Sequence, residues 1–289
     1  MPKVTSLKGA VRDPRRINVF IDGKFSFSLT LTELADSKLH QGQTFTESEI
    51  VELRNLSSLG KLYQQTLEYC FSRPHSKKEI IDYLERKRLR RDISWKRFEE
   101  HQLKIQNDPE YAARVKEIHQ HTKEQNQKIR EIDFTENNTY EYRGAQKSNL
   151  PTTPSDRITS EMIESVVSRL ESQNYINDHD FARYFVENRH QNKGISTKRL
   201  IQELKTKGVS NEIIEQTLID DDSGHLIRDE EIEIEKMIKK QLKKTSDRQK
   251  LIAYLARQGF SYDLIKSKLD QFLSQEEATS IKWTNYYFR

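Results

Sequence analysis

Ser196-Thr-Lys-Arg-Leu200-Ile-Gln-Glu-Leu204-Lys-Thr-Lys-Gly208-Val209 is matched by Asp247-Arg-Gln-Lys-Leu251-Ile-Ala-Tyr-Leu255-Ala-Arg-Gln-Gly259-Phe260. The offset is 51 residues, and it persists from Ser210-Asn-Glu-Ile213-Ile214 and Leu218 to Ser261-Tyr-Asp-Leu264-Ile265 and Leu269. Each copy opens on a capping residue and carries two leucines four positions apart. Each ends on a glycine, the residue favoured at a left-handed helix stop. A weaker copy begins at Ser76-Lys-Lys-Glu-Ile80-Ile-Asp-Tyr-Leu84. A gap-free period of this size predicts helical repeats, which bury their apolar faces against one another and work by presenting a long surface to a large partner.

The repeats can be drawn outward from this stretch. Repeat two starts with Asp178 as N-cap and buries Phe181, Ala182, Phe185 and Val186 on its first helix. Ser196 caps the second helix, which Gly208 ends, and Ser210 caps a short third helix. Repeat three follows with Ile234, Ile238 and Leu242, then Leu251 and Leu255, then Leu264, Ile265 and Leu269. In repeat one, Ser76 precedes Ser196 by 120 residues, while Ile158 precedes Val209 by 51. The 69-residue excess is an insertion between the second and third helices of that repeat. Ser94 to about Ile132 reads as a charged helical hairpin broken at Asn107-Asp108-Pro109. Its sparse apolar side includes Trp95, Phe98, Tyr111, Val115, Ile118, Ile129 and Ile132. Asp133 to Arg157 is polar and reads as a flexible linker.

Residues 1–45 have a different pattern. Asp22-Gly23 between Val19-Phe-Ile21 and Phe25-Ser-Phe27-Ser-Leu29 is a hairpin signal, with Val4 to Val11 as a third strand and Gly42 to Phe45 as a fourth. Thr46-Glu-Ser-Glu49 then opens a helix. The expected organisation is a mainly α chain: three tandem three-helix repeats in an elongated array, preceded by a small β module. The boundaries are 1–45 for the β module, 46–88 with 158–177 for repeat one, and 89–157 for the insertion. Repeat two is 178–222, repeat three is 223–274, and 275–289 is a tail.

With 34% apolar and 33% charged residues, the chain is too polar for one large core and suits small stacked units. The net charge of +4 and the pI of about 8.9 are compatible with a nucleic-acid partner. Cys70 is the single cysteine, so there is no internal disulfide or cysteine zinc site. It lies on an apolar helix face and reads as a small core residue. No stretch approaches a membrane span, and a soluble cytoplasmic protein is expected, monomeric when free.

No catalytic constellation emerges. His119 and His121 point to different sides of a helix. Asp220-Asp221-Asp222 lacks a metal-loop pattern and reads as a solvated loop. No glycine-rich phosphate loop or metalloprotease motif is present, so neither enzymatic activity nor a cofactor or metal is expected. Charge distribution is more informative. Asp220 to Glu235 holds eight acids and one base, whereas Lys236 to Arg257 holds eight bases and one acid. Lys236, Lys239, Lys240 and Lys243 share a helix face opposite Ile234, Ile238 and Leu242. Basic residues recur at the inter-helix turns: Arg73, Lys77 and Lys78, then Arg189, Lys193, Lys198 and Arg199, then Lys243, Lys244, Arg248 and Lys250. In a regular stack they form a ladder able to follow a phosphate backbone or an acidic groove, with Arg15 and Arg16 as an extension.

Arg73-Pro-His-Ser76 before Glu79-Ile80, and Tyr175-Ile-Asn-Asp178-His-Asp-Phe181-Ala182, resemble the turns of the bacterial RecX regulatory proteins. Lys193-Gly194-Ile195-Ser196, Lys207-Gly208-Val209 and Arg257-Gln-Gly259-Phe260 fit as well. The resemblance covers 59–88 and 158–273. It implies a stack of three-helix repeats lying along the groove of a RecA–DNA filament. There it inhibits or modulates RecA ATP hydrolysis, strand exchange and coprotease activity, in recombination and DNA repair. The resemblance carries over no catalytic residue. The ladder residues Arg73, Lys77, Lys78, Arg189, Lys193, Lys198, Arg199, Lys236, Lys240, Lys243, Arg248 and Lys250 are where such contacts would fall. His75, Asn174 and Asn177 depart from the usual pattern, and the insertion is foreign to it. The alternative is a helical-repeat nucleic-acid-binding protein acting independently of RecA, although stacking aromatics are not obvious on the ladder.

Overall fold

The computed structural model of the chain describes residues 1–11, 13–135, 156–219, 227–245 and 247–272, without the side chains of 128–135. Three strands, β1 (Val4–Gly9), β2 (Arg16–Ile21) and β3 (Lys24–Thr30), form an antiparallel sheet in that order. The β2–β3 turn is the expected one: Asp22 and Gly23 have φ of 48° and 76°, the double left-handed turn whose twist suits a hairpin. Ile21 pairs with Lys24 across it. The fourth strand is reduced to one bridge, Lys3 to Thr44, because Gly42 at φ 91° turns the chain just before it. A short helix α1 (Leu31–Asp36) has a capping box from Thr30 and Glu33. Helix α2 (Glu47–Cys70) opens at Thr46, whose backbone N–H donates to the Glu49 carboxylate at 2.7 Å.

The sheet closes over Leu39, Phe45 and Ile50, burying Val4, Val19, Ile21, Phe27 and Leu29. Arg16 is drawn into this packing and does not extend the basic ladder. Its guanidinium donates to the Ser28 hydroxyl at 3.1 Å and the Ser57 carbonyl at 3.4 Å, and only 5% of the residue is exposed. Arg15 is exposed beside Asp13, with the ion pair at 3.0 Å.

Helix α3 (Lys77–Asn107) runs unbroken past Arg88, where the second helix of repeat one was expected to end. Asp108 then accepts from the Tyr111 N–H at 2.9 Å, and Pro109 takes the first position of α4 (Pro109–Thr135). Two helices therefore flank the break expected at Asn107-Asp108-Pro109. His101 and Tyr111 meet across it at 2.9 Å, and Val115 is buried. Of the linker expected from Asp133 to Arg157, residues 133–135 belong to α4 instead, and 136–155 lie outside the described residues, as do the side chains of Ile129 and Ile132, Asp220–Asp222 and the tail.

The remaining helices are α5 (Ser160–Ser172), α6 (Asp178–Asn188), α7 (Thr197–Thr206), α8 (Asn211–Leu218), α9 (Glu230–Leu242), α10 (Arg248–Arg257) and α11 (262–272). The mainly α fold with tandem three-helix units after a small β module is thus present. Val186, Leu204, Val209, Ile214 and Leu218 are buried in one cluster, with Phe181 and Ala182. Met237, Leu255, Phe260, Ile265 and Leu269 occupy the same positions 51 residues on, in the next cluster. Asn177, and not Asp178, caps α6, accepting from the N–H groups of His179 and Asp180. Ser196 and Ser210 cap α7 and α8 as expected, and Gly208 has φ 83°. Contacts divide the chain into two units, Met1–Gly60 with Tyr83–Ile163, and Lys61–Asp82 with Glu164–Arg289. Both junctions between successive repeats fall within the second unit.

Candidate functional site

A helix leaves its last carbonyls without intrahelical donors, and a buried helix end needs partners for them. Here the preceding repeat supplies one. Ser76, fully buried, accepts from the Glu79 N–H at 3.1 Å and donates to the Lys207 carbonyl at 2.7 Å. Ser196, also fully buried, accepts from the Arg199 N–H at 3.2 Å and donates to the Gln258 carbonyl at 2.6 Å. One serine thus starts its own helix and closes the end of the next repeat's helix, and the arrangement occurs twice. Glycine follows each latched carbonyl because of φ and because of space. A Cβ on Gly208 would stand 2.7 Å from the Lys78 Cβ, and one on Gly259 would stand 2.7 Å from the Ser196 Oγ. Acids of the next repeat cap the same helix starts: Lys77 N–H donates to Asp178 at 2.8 Å, and Thr197 N–H donates to Glu230 at 3.2 Å.

Buried and half-buried acids organise the charges at both junctions. At the first, Glu79 pairs with Arg73 at 2.9 Å and Lys207 at 2.6 Å. Burial pushes the Glu79 carboxyl up, but the hydrogen bonds from Arg73 and Lys207 outweigh it and hold the group below its usual range. Glu203 bridges Arg189 at 2.6 Å and Arg199 at 3.1 Å, and is held low in the same way against the effect of burial. His75 is buried against Tyr69, with ring centroids 4.1 Å apart and Nδ1 lacking a partner. Burial, and then Arg73, push its proton affinity down. At the second junction, Glu233 accepts from Arg228 at 2.6 Å, Lys236 at 2.8 Å and the Ile195 N–H at 3.0 Å. Cys70 is half-buried and burial raises its thiol pKa, which suits a small packed residue.

The structure divides the twelve ladder residues into groups. Arg73 and Arg189 line one cleft of about 300 Å³ at the first junction, with Lys207, Glu79 and Phe185. Lys193, Arg199 and Lys240 line a second cleft of about 160 Å³ at the other junction, with Tyr254 and Gln258. Lys77, Lys78 and Lys198 instead serve the latches. Lys77 pairs with Glu171 at 2.9 Å, Lys78 donates to the Thr206 carbonyl at 2.9 Å, and the Lys198 stem packs against Gly259. Lys236 is tied to Glu233, Arg248 to Asp270 at 2.5 Å, and Lys250 to Asp247 at 3.3 Å. Lys243 is the exposed C-cap of α9. The sequence reading missed Glu79, Glu203, Glu233 and Arg228. A signal existed for two of them: Glu79 completes the Ser76-x-x-Glu79 capping pattern, and Glu203 stands four residues after Arg199. Nothing local marks Glu233 or Arg228.

The resemblance to the RecX family is borne out. A family model described as RecX, second three-helix domain, matches residues 177–218. The regulatory protein RecX of Listeria innocua is 26% identical over 275 residues, covering 93% of this chain and 96% of that protein. That of Bacillus pumilus is 21% identical, covering 96% and 80%, and that of Bacillus subtilis is 22% identical, covering 94% and 77%. A crystal structure of regulatory protein RecX has the same fold, with a TM-score of 0.50 and 16% identity, over 93% of this chain and all of that one.

Proposed function

We propose that this chain, similar over nearly its whole length to RecX regulatory proteins, binds along a RecA–DNA filament and modulates it. The expected direction is inhibition of RecA ATP hydrolysis, strand exchange and coprotease activity, in recombination and DNA repair. The observation that carries this reading is the near end-to-end similarity to proteins named as regulators. The recurrence of one latch at successive junctions supports it, because equivalent units at a fixed spacing can meet equivalent sites on a polymer. In this reading the three repeats, 46–88 with 158–177, 178–222 and 223–274, form the binding body, and 89–157 is an added arm. The ladder residues that remain at the two clefts, Arg73, Arg189, Lys193, Arg199 and Lys240, are the first candidates for filament contacts. Lys77, Lys78, Lys198, Lys236, Lys243, Arg248 and Lys250 are secondary ones.

Action is by binding, without a catalytic group or cofactor, and RecA is the partner. Among the described residues no helix is long and apolar enough to cross a membrane. A cytoplasmic setting follows from the proposed partner. The test is RecA ATPase activity on single-stranded DNA with this protein added. Inhibition that saturates below one chain per RecA protomer fits a protein spanning several protomers. An unchanged rate at stoichiometric excess contradicts the reading.

A further inference from the structure

The two junction clefts occupy equivalent places in the repeat, yet their charges differ. Position 79 corresponds to 199, and positions 189, 203 and 207 correspond to 240, 254 and 258. At the first junction these are Glu79, Arg189, Glu203 and Lys207, and every cation there lies on an acid: Arg73 and Lys207 on Glu79, Arg189 on Glu203. At the second junction both acid positions have changed, to Arg199 and Tyr254. Lys193 and Lys240 are exposed at the rim of this cleft, and no ion pair joins either to an acid among the described residues. The nearby acids are committed. Glu203 is shared by two arginines, and Glu233 already accepts from Arg228, Lys236 and a backbone N–H. The repeat has therefore kept the cleft and lost the acids of these two positions at one junction only, which leaves Lys193 and Lys240 without a counter-charge among the described residues.

We propose that the cleft between α7, α9 and α10 is a phosphate site for a nucleic-acid backbone. A water molecule takes about 30 Å³, so a cleft of about 160 Å³ admits a phosphate group and some of its hydration. Lys193 and Lys240 act as point charges on the phosphate oxygens, and Tyr254, which lines the cleft, donates its hydroxyl. Phosphate is favoured because lysines hold it as point charges on several oxygens, without the guanidinium fork that serves carboxylates and phosphates alike. Arg199 offers no such fork: its Nε lies on Glu203 and its Nη1 on Gln258. The site is argued from this cleft alone and is tested without RecA, so it stands or falls separately from the filament reading.

The test is binding of the intact protein to labelled single-stranded and duplex oligonucleotides, over about 50 to 200 mM salt. Each phosphate contact adds about 0.7 to 0.9 to the log–log salt slope. The double variant Lys193→Gln, Lys240→Gln should flatten that slope by about 0.7 to 0.9 and weaken binding about tenfold at the low-salt end. Tyr254→Glu, which restores the acid of the first junction, should act in the same direction. Lys205→Gln with Lys266→Gln removes the same charge from exposed positions outside the cleft and should leave the slope near that of the unaltered protein. Inorganic polyphosphate should displace the oligonucleotide and polyglutamate should not. The proposal is overturned if the unaltered protein binds no oligonucleotide at the low-salt end, or if the cleft variants match the control. Polyglutamate competing in place of polyphosphate overturns it as well, by identifying the occupant as an acidic protein.

Discussion

The serines at positions 76 and 196 each perform two tasks, and removing one tests both. Loss of an N-cap costs about 0.5–2 kcal/mol, and a buried carbonyl left without a donor costs about 1–3 kcal/mol. Ser196→Ala should therefore lower stability by about 2 kcal/mol in a urea melt. Ser210→Ala, a cap that bonds to no other repeat among the described residues, should cost only about 1 kcal/mol. Equal losses would refute the latch. The pH dependence of stability also has a residue-scale origin. Glu79 and Glu203 titrate below their unfolded range, so their contribution is complete above about pH 4.3 and is lost as pH falls through the lowered folded values. His75 is likewise depressed, so a first loss begins near its unfolded value of about 6.5 and continues as pH falls through the folded one. Urea melts from neutral to acid pH should show both limbs, and His75→Phe should remove only the upper one. An upper limb unchanged in that variant would assign it elsewhere.

At the scale of the element, the chain is most legible where a rule spans only a few residues. Asp22-Gly23 announced its hairpin, Asp108-Pro109 its helix break, and Gly208 its helix stop, because each depends on local φ or on a nearby N–H. Misreadings arose where distant groups decide. Asn and Asp cap helices about equally well, yet Asn177 takes the cap and Asp178 turns to the Lys77 N–H, 101 positions away. Arg16 looked like a surface cation until β3 and α2 supplied Ser28 and Ser57 around it. The pairing of Glu79 with Lys207 was hidden for the same reason, because it spans 128 positions. Asn177→Ala should cost about 1 kcal/mol by loss of the α6 cap. Asp178→Ala should instead increase hydrogen exchange at the Lys77 amide. Protection at Lys77 that is unchanged in Asp178→Ala would break this assignment.

Over the whole molecule, one motif is used repeatedly and varied in charge. The same serine, carbonyl and glycine join repeat one to two and two to three, while the acids beside them persist at the first junction and give way to Arg199 and Tyr254 at the second. A stack so built has fixed spacing, set by backbone hydrogen bonds, with a surface free to change from unit to unit. The spacing was readable from the 51-residue period. The difference between the junctions was not, because it depends on which side chains face one another. The central claim, that this surface engages a RecA filament, is most directly tested by RecA ATP hydrolysis on single-stranded DNA in the presence of the intact protein. The account predicts inhibition saturating below one chain per RecA protomer, and a full rate at stoichiometric excess would contradict it.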